Sequence, residues 1–303
     1  MKLVLRGAAI GAAALLALTA CGGGGENPVT GGGTAAAGSV TVGSANFPES
    51  VLVGEIYAKA LEAKGVKVTK KLNIGSREVT YSQVQSGGLS VFPEYNGALL
   101  AYLDQNSKAT TTEQVNTELK AKLPSSLKLL DSAKAEDKDT VAVTQETATK
   151  YNLKSIADLA PVAKDLVIGG PPEFKTRQQG LLGLQSVYGL NFKQFKSLDT
   201  GGPLTVAALK KGDVQAGDLF TTDPAIIANN FVVLEDPKNV FGAQNVTPLV
   251  HSSADNETVR NALNAVSAKL DTPTLADLLK KVVTDKEDAD KVASDWLTSV
   301  GLA

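Results

Sequence analysis

The chain has 303 residues, of which 43% are hydrophobic, 20% charged and 5% aromatic, with one Cys and one His. That length can bury a substantial core as one large domain or two smaller ones, and the single Cys and His exclude Cys/His metal centres, disulfide frameworks and Cys–His catalysis. Thirty basic and 32 acidic residues give a formal charge of −2, which leaves no overall basic field to attract nucleic acid.

Residues 1–21 have the pattern of an export signal. Lys2 and Arg6 make a positive start and an Ala/Leu-rich run over 8–18 follows, shorter than the ~20 apolar residues of a membrane-spanning helix. Leu18-Thr19-Ala20-Cys21 resembles the lipobox of bacterial lipoproteins, which implies cleavage before Cys21 and lipid attachment to it. Loss of Lys2 and Arg6 leaves the mature chain mildly acidic. Residues 22–38, GGGGENPVTGGGTAAAG, bury little and are rich in chain entropy, so they are expected to be a flexible linker with a reach of roughly 20–25 Å. The expectation is an extracytoplasmic body held at a membrane by a lipid anchor.

From residue 39 strands and helices alternate. Val40-Thr41-Val42 predicts a strand, and Pro48 stands where a helix can begin. Leu52, Ile56, Ala60 and Leu61 share one helical face, which Gly65 closes. Residues 66–74 return as a strand, 79–85 as a helix and 89–92 as a short strand. This order predicts an α/β domain with a largely parallel sheet, whose ligands bind at the carboxyl ends of strands. A second α/β run starts near Thr140, with strands at 141–143, 166–168 and 214–219 and helices near 173–188 and 204–211. Gly169-Gly170-Pro171-Pro172 reads as a turn, because its prolines lack the N–H donors of a phosphate cradle. The tail from Asp255 is helical, with Val259, Leu263 and Val266 in one stripe and Trp296 as a core or helix-docking residue.

No catalytic constellation emerges. His251 has no nucleophile in its context, and neither a G-x-S-x-G elbow nor a G-x-x-x-x-G-K-[ST] phosphate loop is present. The chain is therefore not expected to be an enzyme, to hydrolyse ATP itself, or to need a metal or cofactor. Glu136, Asp137 and Asp139 cluster, and a solvated charged loop is the expected setting for most of them.

Five segments in order carry a resemblance. Gly43-Ser44-Ala45-Asn46-Phe47-Pro48-Glu49-Ser50 resembles the G-S-K-N-F-T-E-Q opening of ProX-type osmoprotectant-binding proteins, and Phe92-Pro93-Glu94-Tyr95-Asn96-Gly97 is similar to their Y-P-E-Y-T-G. Glu173-Phe174 with Arg177, Tyr188-Gly189-Leu190 and Phe220-Thr221-Thr222-Asp223 continue the match, from about Ser39 to the C-terminus. The resemblance implies a two-lobed type II periplasmic-binding-protein fold. It also implies the role of an extracytoplasmic receptor delivering a quaternary-ammonium compatible solute (glycine betaine, proline betaine, choline or carnitine) to an ABC permease with a cytoplasmic ATPase. Lobe I would comprise 39–139 and 246–303, and lobe II 140–245, with crossings near 138–140 and 245–247. The protein would act as a monomer by hinge closure.

A trimethylammonium group has no N–H to donate, so aromatic faces select it, at about 0.5–2 kcal/mol each, while Arg suits a betaine carboxylate. The resemblance places Tyr95 and Phe220 on two cage rings and Arg177 on the carboxylate-binding Arg. Asp139 and Gln244 fall where the family has two further cage Tyr residues, Ala45 where it has Lys or Gln, and Ala98 where it has Thr. Two missing rings would remove on the order of 1–4 kcal/mol, or one to three decades of affinity. Weak or shifted betaine binding is thus expected, with Asp139 facing the cation. The alternatives are another small polar or cationic solute, such as a polyol or amine read by Asp139, Gln244 and Arg177, or a membrane-tethered sensor with no transport role.

Overall fold

The structure, a computed structural model, describes residues 39–303. The export signal, Cys21 and the linker over 22–38 lie outside the described residues.

The chain opens with β1 (Ser39–Gly43), α1 (Pro48–Glu62), β2 (Lys67–Lys71), α2 (Arg77–Gln85), β3 (Val91–Tyr95), α3 (Asn96–Leu103), α4 (Thr112–Lys122) and β4 (Leu127–Leu129). It continues through β5 (Asp139–Val143), α5 (Gln145–Tyr151), β6 (Val167–Gly170), α6 (Leu181–Tyr188), β7 (Gln194–Ser197), α7 (Pro203–Lys211), β8 (Ala216–Phe220), α8 (Pro224–Ala228) and β9 (Val232–Val233). Then β10 (Val246–His251) leads to three closing helices, α9 (Glu257–Lys269), α10 (Thr272–Val283) and α11 (Ala289–Ser299). Pro48 takes the first position of α1, where its missing N–H costs nothing.

The strands form two five-stranded sheets, in the orders β2-β1-β3-β10-β4 and β7-β6-β8-β5-β9. Neither is largely parallel. β1 pairs parallel with β2 and β3, but β10 runs antiparallel to both β3 and β4. β5 runs antiparallel to β8 and β9. The reason is topological: β5 and β10 each enter their sheet on a direct passage from the other one, so they arrive at the end where the neighbouring strands finish. Their registers place Val246 opposite Tyr95 and Asp139 opposite Phe220.

Two further expectations are corrected. The helix expected over 173–188 is broken into a short 3₁₀ turn (Pro172–Lys175) and α6, because the chain folds back so closely that a Cβ on Gly180 would lie 2.2 Å from the Phe174 carbonyl oxygen. Gly169 and Gly170 complete β6, and only the two prolines after them make the turn.

Beneath the first sheet, α1 buries Leu52, Ile56, Tyr57 and Leu61 against α9–α11, where Val259, Leu263 and Trp296 join the same core. The second sheet packs Val141, Ile168 and Leu184 around Phe174. Among the described residues no helix is long and apolar enough to cross a membrane.

The return passage into β10 is clamped. Asn96 donates its backbone N–H to the Asn245 carbonyl (3.1 Å), and its side-chain oxygen accepts the Asn245 N–H (2.7 Å). Gly97 lies so close that a Cβ there would be 2.0 Å from the Ala243 carbonyl oxygen. Gly97→Ala is therefore expected to destabilise the protein by about 1–3 kcal/mol, the usual cost of overpacking. Urea unfolding monitored through Trp296 measures it.

Candidate functional site

The ends of several strands meet between the two sheets. The segment after β1 supplies Ala45 and Phe47, the end of β3 supplies Glu94 and Tyr95, and α3 supplies Ala98. From the other side come Asp139 at the start of β5, Phe220 at the end of β8 and Arg177 between β6 and α6. Asp137 and Gln244 lie on the two passages. The structure brings Ala45, Tyr95, Ala98, Asp139, Arg177, Phe220 and Gln244 to one pocket, and Phe47 and Phe92 line it as well.

Three rings form a continuous wall. Phe47 lies between the other two, with its centroid 5.1 Å from that of Phe220 and 5.8 Å from that of Tyr95. Phe47 thus stands beside Tyr95 and Phe220, the two rings that the resemblance assigned to a cage. Phe47 lies inside the Gly43–Ser50 motif, and the sequence alone does not single it out, because helix and strand periodicity assign no direction to a residue in the turn before α1. The free space among the rings is about 50 Å³.

The cations near the rings already have partners. Arg77, at the first turn of α2, holds Glu94 through two nitrogens, Nε (3.0 Å) and Nη2 (2.8 Å), with both side chains almost buried. Glu94 also accepts the backbone N–H of Tyr95 (2.9 Å), so this pair sets the ring's position. Sequence reading missed it, since the partners lie 17 residues apart in separate elements. Arg177 does not lie on a helix. It reaches across to Glu78 on α2, with Nε at 3.1 Å and Nη2 at 2.9 Å. Burial opposes the Glu78 charge, yet hydrogen bonds from Arg177 and Ser76 and the guanidinium charge hold its pKa down at about 2.

The acidic cluster is no solvated loop. Asp137 and Asp139 are buried, and only Glu136 is half-exposed, paired with Lys138 at 3.2 Å. Asp139 accepts a hydrogen bond from Gln244 Nε2 (3.3 Å). Burial pushes its carboxyl up, while Arg177, Gln244 and Arg77 pull it back. Asp137 accepts from the Thr221 hydroxyl and the Thr222 N–H, each at 3.1 Å. Beside it Glu49, at the start of α1, accepts from the Tyr95 hydroxyl (2.7 Å) and the Thr222 hydroxyl (2.6 Å). Burial raises both carboxyls, Asp137 well above the ordinary range, and two such groups side by side favour one shared proton. Asp223 is pushed up to about 6 by burial and by the charge of Asp199. His251 lies apart, with Nδ1 2.7 Å from the Ser253 hydroxyl.

Two α/β layers that exchange the chain twice, with rings and carboxyls facing one another between them, define a solute-binding protein. Residues 38–299 match the family described as the substrate-binding domain of the ABC-type glycine betaine transport system. The chain belongs to that family. It is 32% identical over 281 residues to the glycine betaine-binding protein YehZ of Escherichia coli K12, covering 88% of this chain and 92% of the relative. The solved structure of apo YehZ from Escherichia coli superposes with a TM-score of 0.61 at 30% identity, over 88% of this chain and 99% of that one. The crystal structure of a glycine betaine/carnitine/choline ABC transporter superposes with a TM-score of 0.68 at 21% identity, over 87% of this chain and 99% of that one, and shares the type II periplasmic-binding fold. The protein is thus an extracytoplasmic substrate-binding component of an ABC importer, with a small-molecule solute and a permease as partners, and not an enzyme.

Two outcomes follow from this geometry. Arg77→Met leaves Glu94 buried without its partner and is expected to cost about 3–5 kcal/mol, measured by urea unfolding. Asp223 keeps its proton in the fold at pH values where the unfolded chain has released it. The stability it contributes is full below its ordinary pKa of 3.8 and lost as pH rises through about 6. The melting temperature of wild type minus that of Asp223→Asn should therefore fall between about pH 4 and pH 7; a difference that rises with pH would contradict the assignment.

Proposed function

We propose that the protein is the receptor for a small quaternary-ammonium solute, which it captures between the two sheets and presents to its permease. The observation that carries this reading is the wall formed by Phe47, Tyr95 and Phe220, with the Asp139 carboxyl in the same pocket. Ring faces and a carboxylate attract a cation that has no hydrogen-bond donor, and fully hydrogen-bonding walls would not favour it. The relatives named above for glycine betaine support the same class.

The ring pocket, with about 50 Å³ of free space, lies between the two sheets, so in this proposal a solute enters as the lobes part and is held as they close around it. Residues 39–139 with 246–303 form one lobe in this proposal and 140–245 the other, moving about the two passages. Arg177–Glu78 and Glu49–Thr222 are then contacts that open with the cleft. A zwitterionic betaine would draw Arg177 from Glu78 to its own carboxylate. A cation without a carboxylate, such as choline, needs no such exchange, and the Asp139–Gln244 pair supports it as a second reading by offering polar partners to its hydroxyl. The exchange lowers betaine affinity relative to a site whose Arg is free. We further propose that the protein acts as a monomer tethered through a lipid on Cys21.

Titration calorimetry with glycine betaine, choline, carnitine and a polyol tests the ligand class. Quaternary-ammonium compounds should bind and the polyol should not. Phe220→Ala should weaken the best ligand by about 2- to 30-fold, the value of one cation–π contact. Binding of the polyol alone would overturn the reading.

A further inference from the structure

A second cavity lies against the ring wall. Its free volume is about 390 Å³, within the range of small-molecule sites and far larger than the space among the rings. Phe47, Phe220 and Thr200 line both cavities, so the two aromatic rings are a shared partition. Most of the other side chains lining the second cavity are apolar, among them Val206 and Ala207 on α7 and Leu279 and Val283 on α10, while Glu49, Thr222, Asp223, Lys210 and Lys286 are polar. α7 belongs with the second sheet and α10 packs on the first, so the cavity also lies between the two bodies.

Its deeper polar groups already have partners. Glu49 accepts from both Tyr95 and Thr222, which engages the Thr222 hydroxyl too, and Asp223 accepts the Ala225 N–H at 2.8 Å. Lys210 and Lys286 are exposed on the margin. What the interior offers an occupant is apolar surface and ring faces, continuous with the wall that holds the ammonium head.

We propose that the binding site is bipartite, the ring pocket taking a quaternary ammonium head and the cavity behind Phe47 and Phe220 taking an apolar substituent on the same molecule. The ligand class then extends to alkylated quaternary ammonium compounds. This rests on the reading of the ring pocket as an ammonium site, and it adds a chain-length dependence that a head-only site lacks. As the lobes part, the Phe47–Phe220 contact that separates the cavities opens, and closure seats the head on one side and the chain on the other.

Calorimetry with a series from tetramethylammonium to hexyltrimethylammonium tests it. Burying each added methylene should tighten binding about fourfold, so butyl and hexyl compounds gain steadily over the methyl compound. Ala207→Phe fills the cavity and Val206→Asp makes its wall polar. In both, the ratio of hexyl to methyl affinity should collapse towards one, with thermal melting confirming that each variant is folded. If tetramethylammonium binds wild type and affinity stays flat or falls with chain length, the bipartite site is wrong while the ammonium site stands. If the series tightens equally in wild type and both variants, the chain sits elsewhere and the proposal is also wrong. If no member binds, the ammonium reading itself falls and takes this extension with it.

Discussion

Glu49 is a buried carboxyl whose two oxygens accept hydrogen bonds from opposite sides, one from the Tyr95 hydroxyl and one from the Thr222 hydroxyl. Through them the start of α1, the end of β3 and the segment after β8 converge on one group. A carboxyl in such a setting is strongly driven to be either protonated or fully hydrogen-bonded, and here Asp137 lies beside it under the same pressure. Most other features of the site follow. Tyr95 presents its ring to the pocket because its hydroxyl is anchored behind it, and the Thr222 contact holds the two sheets in register across the gap.

The same constraint shapes the charge pattern. Each guanidinium near the rings has a carboxylate already, Arg77 with Glu94 beside the first sheet and Arg177 with Glu78 across the gap between the sheets. The two pairs differ in burial, and hence in meaning. Arg77–Glu94 is nearly inaccessible and builds the scaffold. Arg177–Glu78 is partly exposed, so water and salt weaken it, and it exchanges partners more readily than the buried pair. One firm pair and one exchangeable pair suit the hinge closure proposed above.

Much of this was legible in the residues. The α/β class, the start of α1 at Pro48 and the buried tail with Trp296 follow from periodicity, and the seven residues that share the pocket follow from the family resemblance that the motifs carry. The strand directions were not legible. Alternating β and α elements suggest parallel pairing, but β5 and β10 arrive from the opposite body, and no local pattern records that. The burial of Asp137 was missed for a related reason. Three acidic residues within four positions look solvated until the Thr221 hydroxyl and Thr222 N–H, more than eighty residues away, supply the hydrogen bonds of Asp137.

The sequence by itself determined the chain's family, its two α/β segments and the identity of seven pocket residues, because short motifs and hydrophobic spacing are local properties. Tertiary structure alone decided that Phe47 joins the ring wall, that Arg177 faces Glu78, and that Glu49 and Asp137 share a dry corner. Those outcomes depend on which side chains meet across two sheets and on how much water their meeting excludes, and neither quantity exists before the chain is folded.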